Sequence, residues 1–570
     1  MTVKTVYAAE HGIVPDVNAD QSVALQALFD SIEYSEAHEV CIQLKKGTYH
    51  IYKAIMINNA KNLTVRGNGA TIIAHFDGTA PVALNNDVFC LENSNDIAFY
   101  DFFFDTDNPI GSAGRVVAID RESETVDVKI YDEFAVTGFE HIHATNSFDE
   151  QGAPDYALAT YHGVLSEEDF ATPDGTQAKR LVGMHYDVIG DHIIRMKVGK
   201  ISPLLQIGHA INIRYEVYGN TIFGFTSCCR VLLKNIVIYS AASFGATIRP
   251  RSKDFVFDNF CIRLPDGTKR LKAANADGIH ALGLAGNLTL KNCNMENMGD
   301  DTLNIHGVAG GVHMLDKENK RISMICPRHR QVHPLPKKWS QSGDTIYVYD
   351  SNSFIQKGSF VIESVDEDNN AVYCNLQGEI AVGDTLANAE YFASLHIDGC
   401  TVRNTRARGF LVQTHDVLIE NSYIYGMSLP ALLFAPDIEV WWEVGPTKNV
   451  EIRNNVIEHC AIIDSPANQG AIVFKACHDG DTSGYPAGVH NGIYIHDNLF
   501  VNIAHSAIFV SSVQNVRIEN NVFNNCCSAP KLKAEYKDYD VVAINCSDVT
   551  IDGNVSSRED STLTYLKNCE

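Results

Sequence analysis

Three aspartates lie close together near the middle of the 570-residue sequence, Asp277 in the segment ANADGIHAL and Asp300 and Asp301 in GDDTLNIHG. Carboxyl groups held side by side repel one another, so at least one acquires a raised pKa and keeps a proton near neutral pH while the others stay ionised. Glycoside hydrolysis requires such a set, because one carboxyl protonates the leaving oxygen and another activates water. The three aspartates are therefore candidate catalytic residues.

Two simpler roles compete with this one. Aspartate is common in turns. Carboxylate oxygens are also the ligands that calcium prefers, and a calcium site would indicate a polysaccharide lyase instead. The three residues alone leave these alternatives open. Our hypothesis is a site that uses no cofactor and no metal ion.

Polar side chains near the aspartates, or in register with them, are candidate substrate contacts. His280, Asn304 and His306 follow the aspartates within a few positions, although a lone histidine in a strand is more often structural. Arg408 lies in RARGFLVQT, where a cation would lower the pKa of a carboxylate such as Asp301 or bind a sugar hydroxyl. A solvated charge is the alternative for this arginine.

A non-repeating segment, APDIEVWWEVGP, contains Trp441, Trp442 and Glu443. Sugars bind aromatic rings through their apolar C–H faces, and a loop at the rim of a site suits that contact. Ordinary packing of the paired tryptophans is the alternative. We include all three residues among the candidates for substrate binding.

The elements that must position these residues belong to a repeat. A phrase of alternating apolar residues followed by Asn or Gly recurs eleven times, with its central apolar residue at Val65, Phe99, Leu233, Phe257, Leu290, Ile397, Ile419, Ile452, Ile495, Ile518 and Ile551. Several of these positions are 22–24 residues apart. Alternation with period two indicates strands, and the polar residue indicates a turn. Such a unit cannot bury its apolar face alone, so the chain is predicted to be all-β, a right-handed parallel β-helix of stacked rungs.

The same period applies to the candidate catalytic residues. Asp277 and Asp300 are 23 residues apart, which is one repeat. They are therefore predicted to stack on neighbouring rungs, with Asp301 beside them. Counted from the start of its own repeat, Arg408 is predicted to lie over Asp301.

Two long gaps in the repeat contain alternating segments of another kind, which predicts two inserted subdomains that resemble small β-barrels. At the N-terminus, VNADQSVALQALFDSIEYSEAHE has apolar residues at helical spacing and is predicted to cover the open first rung. The predicted divisions are 1–106 for the N-terminal helix and first rungs, 107–228 for the first insertion, 229–308 for the rungs with the aspartates, 309–391 for the second insertion and 392–570 for the C-terminal rungs.

Composition narrows the classes of partner. The formal net charge of −25 opposes binding to nucleic acid and to anionic membrane surfaces.

No transmembrane stretch or secretory signal is recognisable, so we expect a cytoplasmic protein, or a secreted one if a leader has been removed. The 15 cysteines form no CxxC pair and are predicted to be mostly buried thiols, with Cys293 and Cys400 stacked as an inward ladder. Rung ends and insertions offer surfaces for a homo-oligomer.

The ordered combination DGIHALGLAGNLTLKNCNMENMGDDTLNIHG, RARGFLVQT and WWEVGPTKNVEIRNNV resembles family 110 of the glycoside hydrolases, the α-1,3-galactosidases. The resemblance implies a β-helix with inserted barrels that removes terminal α-1,3-linked galactose from oligosaccharides or glycans, with inversion and without a cofactor. It also implies that Asp300 is the acid and that Asp277 and Asp301 activate water.

A second resemblance is to family 28, the polygalacturonases, which pair an Asn-x-Asp, as at Asn275 and Asp277, with a later Asp-Asp. The Gly-His-Gly and Arg-Ile-Lys motifs of that family are missing here, and an acidic protein suits an anionic substrate poorly. Another β-helix glycosidase or a lyase stays an alternative. A carbohydrate-binding β-helix without activity is the rival of a different class, because a fold does not imply activity.

Overall fold

The predicted repeat forms a coil of rungs in the computed structural model of the chain. A complete rung contains three strands, so three parallel sheets run along the coil around one continuous hydrophobic core. This confirms the predicted right-handed parallel β-helix. The structure describes residues 2–570 except 76–86, 108–110, 135, 137–140, 150–159, 163–165, 172–176, 183, 199–200, 216–217, 329–330, 334, 336–337, 376–378, 439–440, 446, 464–468, 477–484, 529–537 and 559–562.

The first sheet carries the repeated phrase. Its strands are Thr2–Tyr7, His38–Gln43, Lys61–Ala74, Asn95–Thr106, Cys229–Ile238, Ser252–Ile262, Leu284–Lys291, Ser394–Asp398, Val417–Glu420, Lys448–Arg453, His490–His496, Val513–Glu519 and Ser547–Asp552. Four of these strands are long, from Lys61–Ala74 to Ser252–Ile262, and their C-terminal halves continue into the second sheet. The other strands of the second sheet are Gly47–Ile51, Asn294–Glu296, Thr401–Arg403, Tyr423–Tyr425, Val456–Glu458, Leu499–Val501, Val522–Asn524 and Val555–Ser556.

The third sheet is the one that bears the candidate site. Its strands are Ile55–Asn58, Phe89–Glu92, Phe223–Thr226, Ala246–Arg249, Ile279–Leu282, the first residues of Leu303–Asp316, Phe410–Gln413, Leu432–Phe434, Gly470–Phe474, Ser506–Ser511, Val541–Ile544 and Thr564–Lys567. The aspartates lie in the turns that connect the second sheet to this one.

The eleven central apolar residues of the repeat lie in register. Each is the Cα partner of the next along the first sheet, from the pair Val65 and Phe99 to the pair Ile518 and Ile551. All are buried except Ile551 in the last rung, which is partly exposed. Because paired strands lie about 4.8 Å apart, one apolar side chain per rung repeats along the core.

The N-terminal segment forms the predicted helix over Ser22–Asp30. Leu25, Leu28 and Phe29 pack from it onto the core of the coil. The Asp20 carboxylate accepts a hydrogen bond from the backbone N–H of Ser22 at 2.8 Å. Among the described residues no helix combines the length and apolar character needed to cross a bilayer. Short 3₁₀ helices lie at Ala8–His11, Glu367–Asn369 and Ala389–Tyr391.

The first insertion is an antiparallel sheet with a hydrophobic core of its own. An isolated bridge between Ile142 and Met184 joins the segments that precede the strands Ala144–Phe148 and Tyr186–Gly190. The insertion leaves the coil after Asn95–Thr106. Its strands are Gly111–Asp120, Thr125–Ile130, Ala144–Phe148, Thr160–His162, Tyr186–Gly190, Ile193–Lys197 and Ala210–Arg214, with a separate hairpin of Ser166–Ala171 and Gln177–Val182.

The second insertion is a closed antiparallel barrel built on the extension of the strand Leu303–Asp316. The ring continues through Arg321–Arg328, Ala371–Cys374, Gln356–Asp366, Thr345–Tyr349 and Thr385–Asn388, and the short strand Gln331–His333 pairs with Arg321–Arg328. The division of the chain at the predicted boundaries stays a prediction.

Buried polar side chains form a ladder where the first sheet turns into the second. Asn455, Asn498 and Asn521 each donate from Nδ2 to a main-chain carbonyl and to Oδ1 of the asparagine one rung further on, at 2.9–3.0 Å. Cys293 and Cys400 occupy the same place in earlier rungs and are both 1% exposed, which confirms the predicted inward position. The 14 cysteines among the described residues are free.

Replacing Asn498 by Ala is expected to destabilise the coil. The substitution removes the acceptor of the Asn455 backbone N–H and breaks the ladder on both sides. Each buried polar group left without a partner costs about 1–3 kcal/mol, so the urea midpoint of unfolding should fall clearly. Asn524→Ala, at an exposed position of the second sheet, serves as control and should shift stability by less than about 0.5 kcal/mol. Equal losses in the two variants would contradict a stabilising role for the ladder.

Candidate active site

Two successive rungs bring the three aspartates together. Asp277 precedes the strand Ile279–Leu282, and Asp300 and Asp301 precede the strand that begins at Leu303. The backbone N–H of Asp301 donates to Asp277 Oδ1 at 3.2 Å. One oxygen from each of the three carboxyls lies within 4.8 Å of the other two.

The register between these rungs differs from the prediction by one residue. His280 pairs with Asn304, an offset of 24 residues rather than 23. Asp277 therefore lies over Asp301, and Asp300 projects from the turn beside the pair, with its backbone N–H donating to the carbonyl of Ala276 at 3.2 Å. The repeat in the first sheet gives the number of residues in a rung. It does not show at which residue the preceding turn ends and the strand of the third sheet begins.

Arg408 holds Asp301 from the following rung. Leu303 pairs with Phe410, which places Arg408 over Asp301 as predicted. The backbone N–H of Arg408 donates to Asp301 Oδ1 at 2.9 Å, and its Nη1 donates to Oδ2 at 2.7 Å. Both oxygens of Asp301 thus bind one residue, so this arginine is an internal partner of a buried carboxylate and not a solvated charge.

Two imidazoles connect Asp277 to the interior of the site. His280 Nδ1 lies 2.7 Å from Asp277 Oδ2, and His280 Nε2 lies 3.1 Å from His306 Nε2. His306 is buried, and its Nδ1 donates to the carbonyl of Gly307 at 2.6 Å. Of the predicted contact residues, His280 therefore contacts Asp277 directly, and His306 is connected to Asp277 by way of His280.

Glu443 enters the site from the loop after the strand Leu432–Phe434. The short strand Glu443–Val444 pairs antiparallel with Gly307 and Val308, at the base of the second insertion. Glu443 Oε2 accepts from Asn304 Nδ2 at 3.3 Å and from Gln413 Nε2 at 3.4 Å. The sequence prediction found Asn304 and Glu443 but missed Gln413, which lies in a strand with no distinguishing pattern.

The two tryptophans of this loop have different surroundings. Trp442 packs in a hydrophobic cluster with Ala309 and Val444, and its ring lies over Gly311 in the second insertion. Packing, the alternative left open by the sequence, therefore describes Trp442. Trp441 is 45% exposed, and its contact with a substrate stays a prediction.

An arginine of the first insertion completes the site and was not predicted. Arg214 is 1% exposed, and its Nη1 donates to the carbonyls of Asn275 at 2.9 Å and Gly299 at 3.3 Å. These carbonyls lie just before the aspartates on both rungs, so Arg214 holds the two turns together. A residue of an insertion has no repeat position, so spacing could not reveal it.

The aspartates that lie over one another resist ionisation. Burial raises the pKa of Asp277 well above its ordinary value, and the charges of Asp300 and Glu443 raise it further. Burial also raises the pKa of Asp301, to about 7, although the cation of Arg408 opposes this. Both shifts are in the direction that the sequence predicted for at least one of the three carboxyls.

Asp300 has the opposite tendency. Burial disfavours its charged form, but the guanidinium groups of Arg406, Arg408 and Arg214 outweigh burial and lower its pKa. The segment RARGF contains both Arg406 and Arg408. The sequence prediction considered only Arg408, although Arg406 could have been recognised from the same segment.

The arrangement suits proton transfer better than the binding of a metal ion. The aspartates offer three oxygens to a single point, and His280, His306 and Glu443 offer a second such group. Arg408 already neutralises one carboxylate, however, and further guanidinium groups face the cluster. A cation would have to compete with these fixed positive charges.

Comparison with known proteins identifies relatives of the chain. The family description "Right handed beta helix region" matches residues 385–556. Alpha-1,3-galactosidase A of Shewanella woodyi is 24% identical over 85% of this chain and 77% of its own length, and alpha-1,3-galactosidase A of Bacteroides fragilis is 22% identical over 97% and 93%. The chain is similar in sequence to proteins named as alpha-1,3-galactosidases. The resemblance seen in its sequence motifs is thereby confirmed.

The match to the Bacteroides fragilis protein leaves only a few per cent of this chain uncovered, so it includes most of both insertions and of the C-terminal rungs. Among solved structures, the family 28 exopolygalacturonase of Yersinia enterocolitica covers 100% of this chain and 78% of its own at 12% identity, with a TM-score of 0.46. That low score gives no support to a shared activity.

The free energy of unfolding is expected to fall as the pH rises, and Asp277→Asn is expected to make this fall smaller. The pKa of Asp277 is higher in the folded than in the unfolded chain, so the folded protein binds an extra proton between the two values and loses stability as the pH rises through that window. Asn resembles the protonated carboxyl and removes this dependence. Urea unfolding at about pH 5 and about pH 8 measures the effect.

Asp266→Asn is the matched control for this prediction, because the Asp266 carboxylate is fully exposed. This variant should follow the pH dependence of the wild type. Parallel stability curves for the wild type and Asp277→Asn would contradict the raised pKa.

Proposed function

We propose that this protein is a glycoside hydrolase that removes terminal α-1,3-linked galactose from oligosaccharides or glycans. The observation that carries the proposal is the convergence of Asp277, Asp300 and Asp301, with oxygens within 4.8 Å, at the residues that the resemblance marks as catalytic. The names of the relatives support the same activity.

Asp300 is the carboxyl best placed to meet a substrate. Internal hydrogen bonds hold the oxygens of Asp277 and Asp301, whereas within the described part of the chain no hydrogen bond involves the Asp300 carboxylate. Asp300 is also the most exposed of the three. It is the proposed acid, with Asp277 and Asp301 as the pair that activates water.

The proton that Asp300 delivers has to come from the cluster. The guanidinium groups lower the pKa of Asp300, while the pKa values of Asp277 and Asp301 are raised, so a proton is more stable on either of these two than on Asp300. A bound sugar excludes water from Asp300 and disfavours its charged form. The proton of Asp301 then moves to Asp300, which donates it to the glycosidic oxygen.

Replacing Asp300 by Asn separates the role of acid from that of base. Release of galactose from galactose-α-1,3-galactose should fall about 10²–10⁴-fold. Hydrolysis of α-galactosyl fluoride should fall less than about tenfold, because fluoride leaves without a proton. Asp301→Asn should lose activity on both substrates. Asp266→Asn controls for the change of a surface carboxylate, and an Asp300→Asn variant equally inactive on the fluoride would show that Asp300 is not the acid.

Inversion of the anomeric centre rests on the resemblance. The carboxyl oxygens are closer together, at 4.8 Å or less, than the about 6.5–9.5 Å that separates the carboxyls of most inverting glycosidases. Proton NMR of freshly released galactose measures the outcome. We expect β-galactose first. Initial α-galactose would refute inversion and leave the galactosidase activity standing, and an unsaturated sugar product would identify a lyase.

A further inference from the structure

A line of four side chains leads from Asp277 away from the other two aspartates. His280 lies against Asp277 at 2.7 Å, His306 lies against His280 at 3.1 Å, and His306 Nε2 lies 3.5 Å from Glu443 Oε1. The two imidazoles come from neighbouring rungs of the third sheet. The line therefore connects the buried carboxyl of Asp277 to the half-buried carboxyl of Glu443 through two groups that can each accept and donate a proton.

The hydrogen bond between His306 and the Gly307 carbonyl determines where the protons of this line are bound. The Gly307 carbonyl can only accept, so His306 Nδ1 carries a proton. In neutral His306 the Nε2 atom is then an acceptor, and His280 must donate to it from its own Nε2. His280 Nδ1 and Asp277 Oδ2 consequently share one proton, because a lone pair facing a carboxylate at 2.7 Å would be repelled.

We propose that His280 and His306 form a proton relay between Asp277 and Glu443. In one state the shared proton is bound to Asp277 Oδ2. In the other it has passed to His280 Nδ1, and the proton of His280 Nε2 has passed to His306 Nε2. Asp277 is then a carboxylate that can take a proton from water, and the positive charge on His306 balances the negative charge gained by Asp277.

The second state has partners in place. Glu443 faces the imidazolium of His306 with Oε1, while its Oε2 accepts hydrogen bonds from Asn304 and Gln413, which favour the ionised carboxylate. Burial raises the pKa of Glu443, and these two hydrogen bonds oppose that effect. The relay therefore ends at a carboxyl group that two donors hold in position.

Charged groups face His280 from several elements. Besides Asp277 these are Asp300 and Glu443, with the cation of Arg408 beyond them. On another side the ring of Phe244 packs edge-on against His280 at 5.2 Å between ring centres. The relay rests on the proposed function for its task, which is to free Asp277 as a base. His280 and His306 are thus positioning residues that act through Asp277.

Two neutral variants at one position test the relay. Asn in place of His280 keeps an amide near the Nδ1 position facing Asp277, and Gln reaches towards the Nε2 position facing His306. Neither can pass a proton, so each should lower kcat for galactose release at least about tenfold and alter the acidic limb of the pH profile, with KM nearly unchanged.

Adding His306→Gln to His280→Asn should cause no further loss, because a relay that is already interrupted cannot be interrupted again. His396→Asn is the control, since His396 is bonded to Glu420 at 3.0 Å on the outer side of the first sheet. Its kcat should equal that of the wild type. Unchanged kcat in both His280 variants, or additive losses in the double variant, would overturn the relay.

A measurement without substrate separates this inference from the proposed function. In protein labelled with ¹⁵N-histidine, Asp277→Asn fixes the protons at residue 277 and should shift the ring nitrogen signals of His306, although His280 lies between them. Unchanged His306 signals would overturn the relay. A shift of the His306 signals in Asp277→Asn, together with a wild-type protein that releases no galactose, would support the relay and refute the proposed function.

Discussion

The hydrogen-bond register between parallel rungs is the constraint on which the site depends. In a strand, a shift by one residue turns every side chain to the opposite face. The pairing of His280 with Asn304 sets Asp277 over Asp301, and the pairing of Leu303 with Phe410 sets Arg408 over both, although the second insertion separates these rungs in sequence. A core of apolar residues in register from Val65 to Ile551 keeps this pairing from slipping.

The insertions are part of the site as well as additions to the coil. Four buried or half-buried acidic groups at one place would be costly without compensation. Arg408 compensates from the coil, and Arg214 compensates from the first insertion while it binds the carbonyls before both aspartate turns. The second insertion provides the base on which Glu443 is held. A coil without insertions would have the three aspartates. It would lack the positive charge of Arg214 and the strand that holds Glu443 beside His306.

The repeat was sufficient to predict the coil and the meeting of the three aspartates, because a parallel β-helix converts sequence spacing directly into distance. It missed the offset of one residue at Asp277, since turns between the second and third sheets vary in length while the first sheet keeps its register. The environment of Trp442 was left open because packing and sugar binding use the same residue type. Arg214 could not be predicted as a site residue. Repeat spacing gives no information about where an insertion lies relative to the rungs.

We propose that one sugar-sized site is formed where the three carboxyls converge. A crystal structure of the Asp300→Asn variant with galactose-α-1,3-galactose tests it most directly. We expect the glycosidic oxygen to lie within hydrogen-bond distance of residue 300, with the anomeric carbon facing Asp277 and Asp301. A disaccharide bound elsewhere on the coil, with these side chains covered or facing away from it, would show that the three carboxyls do not form the substrate site.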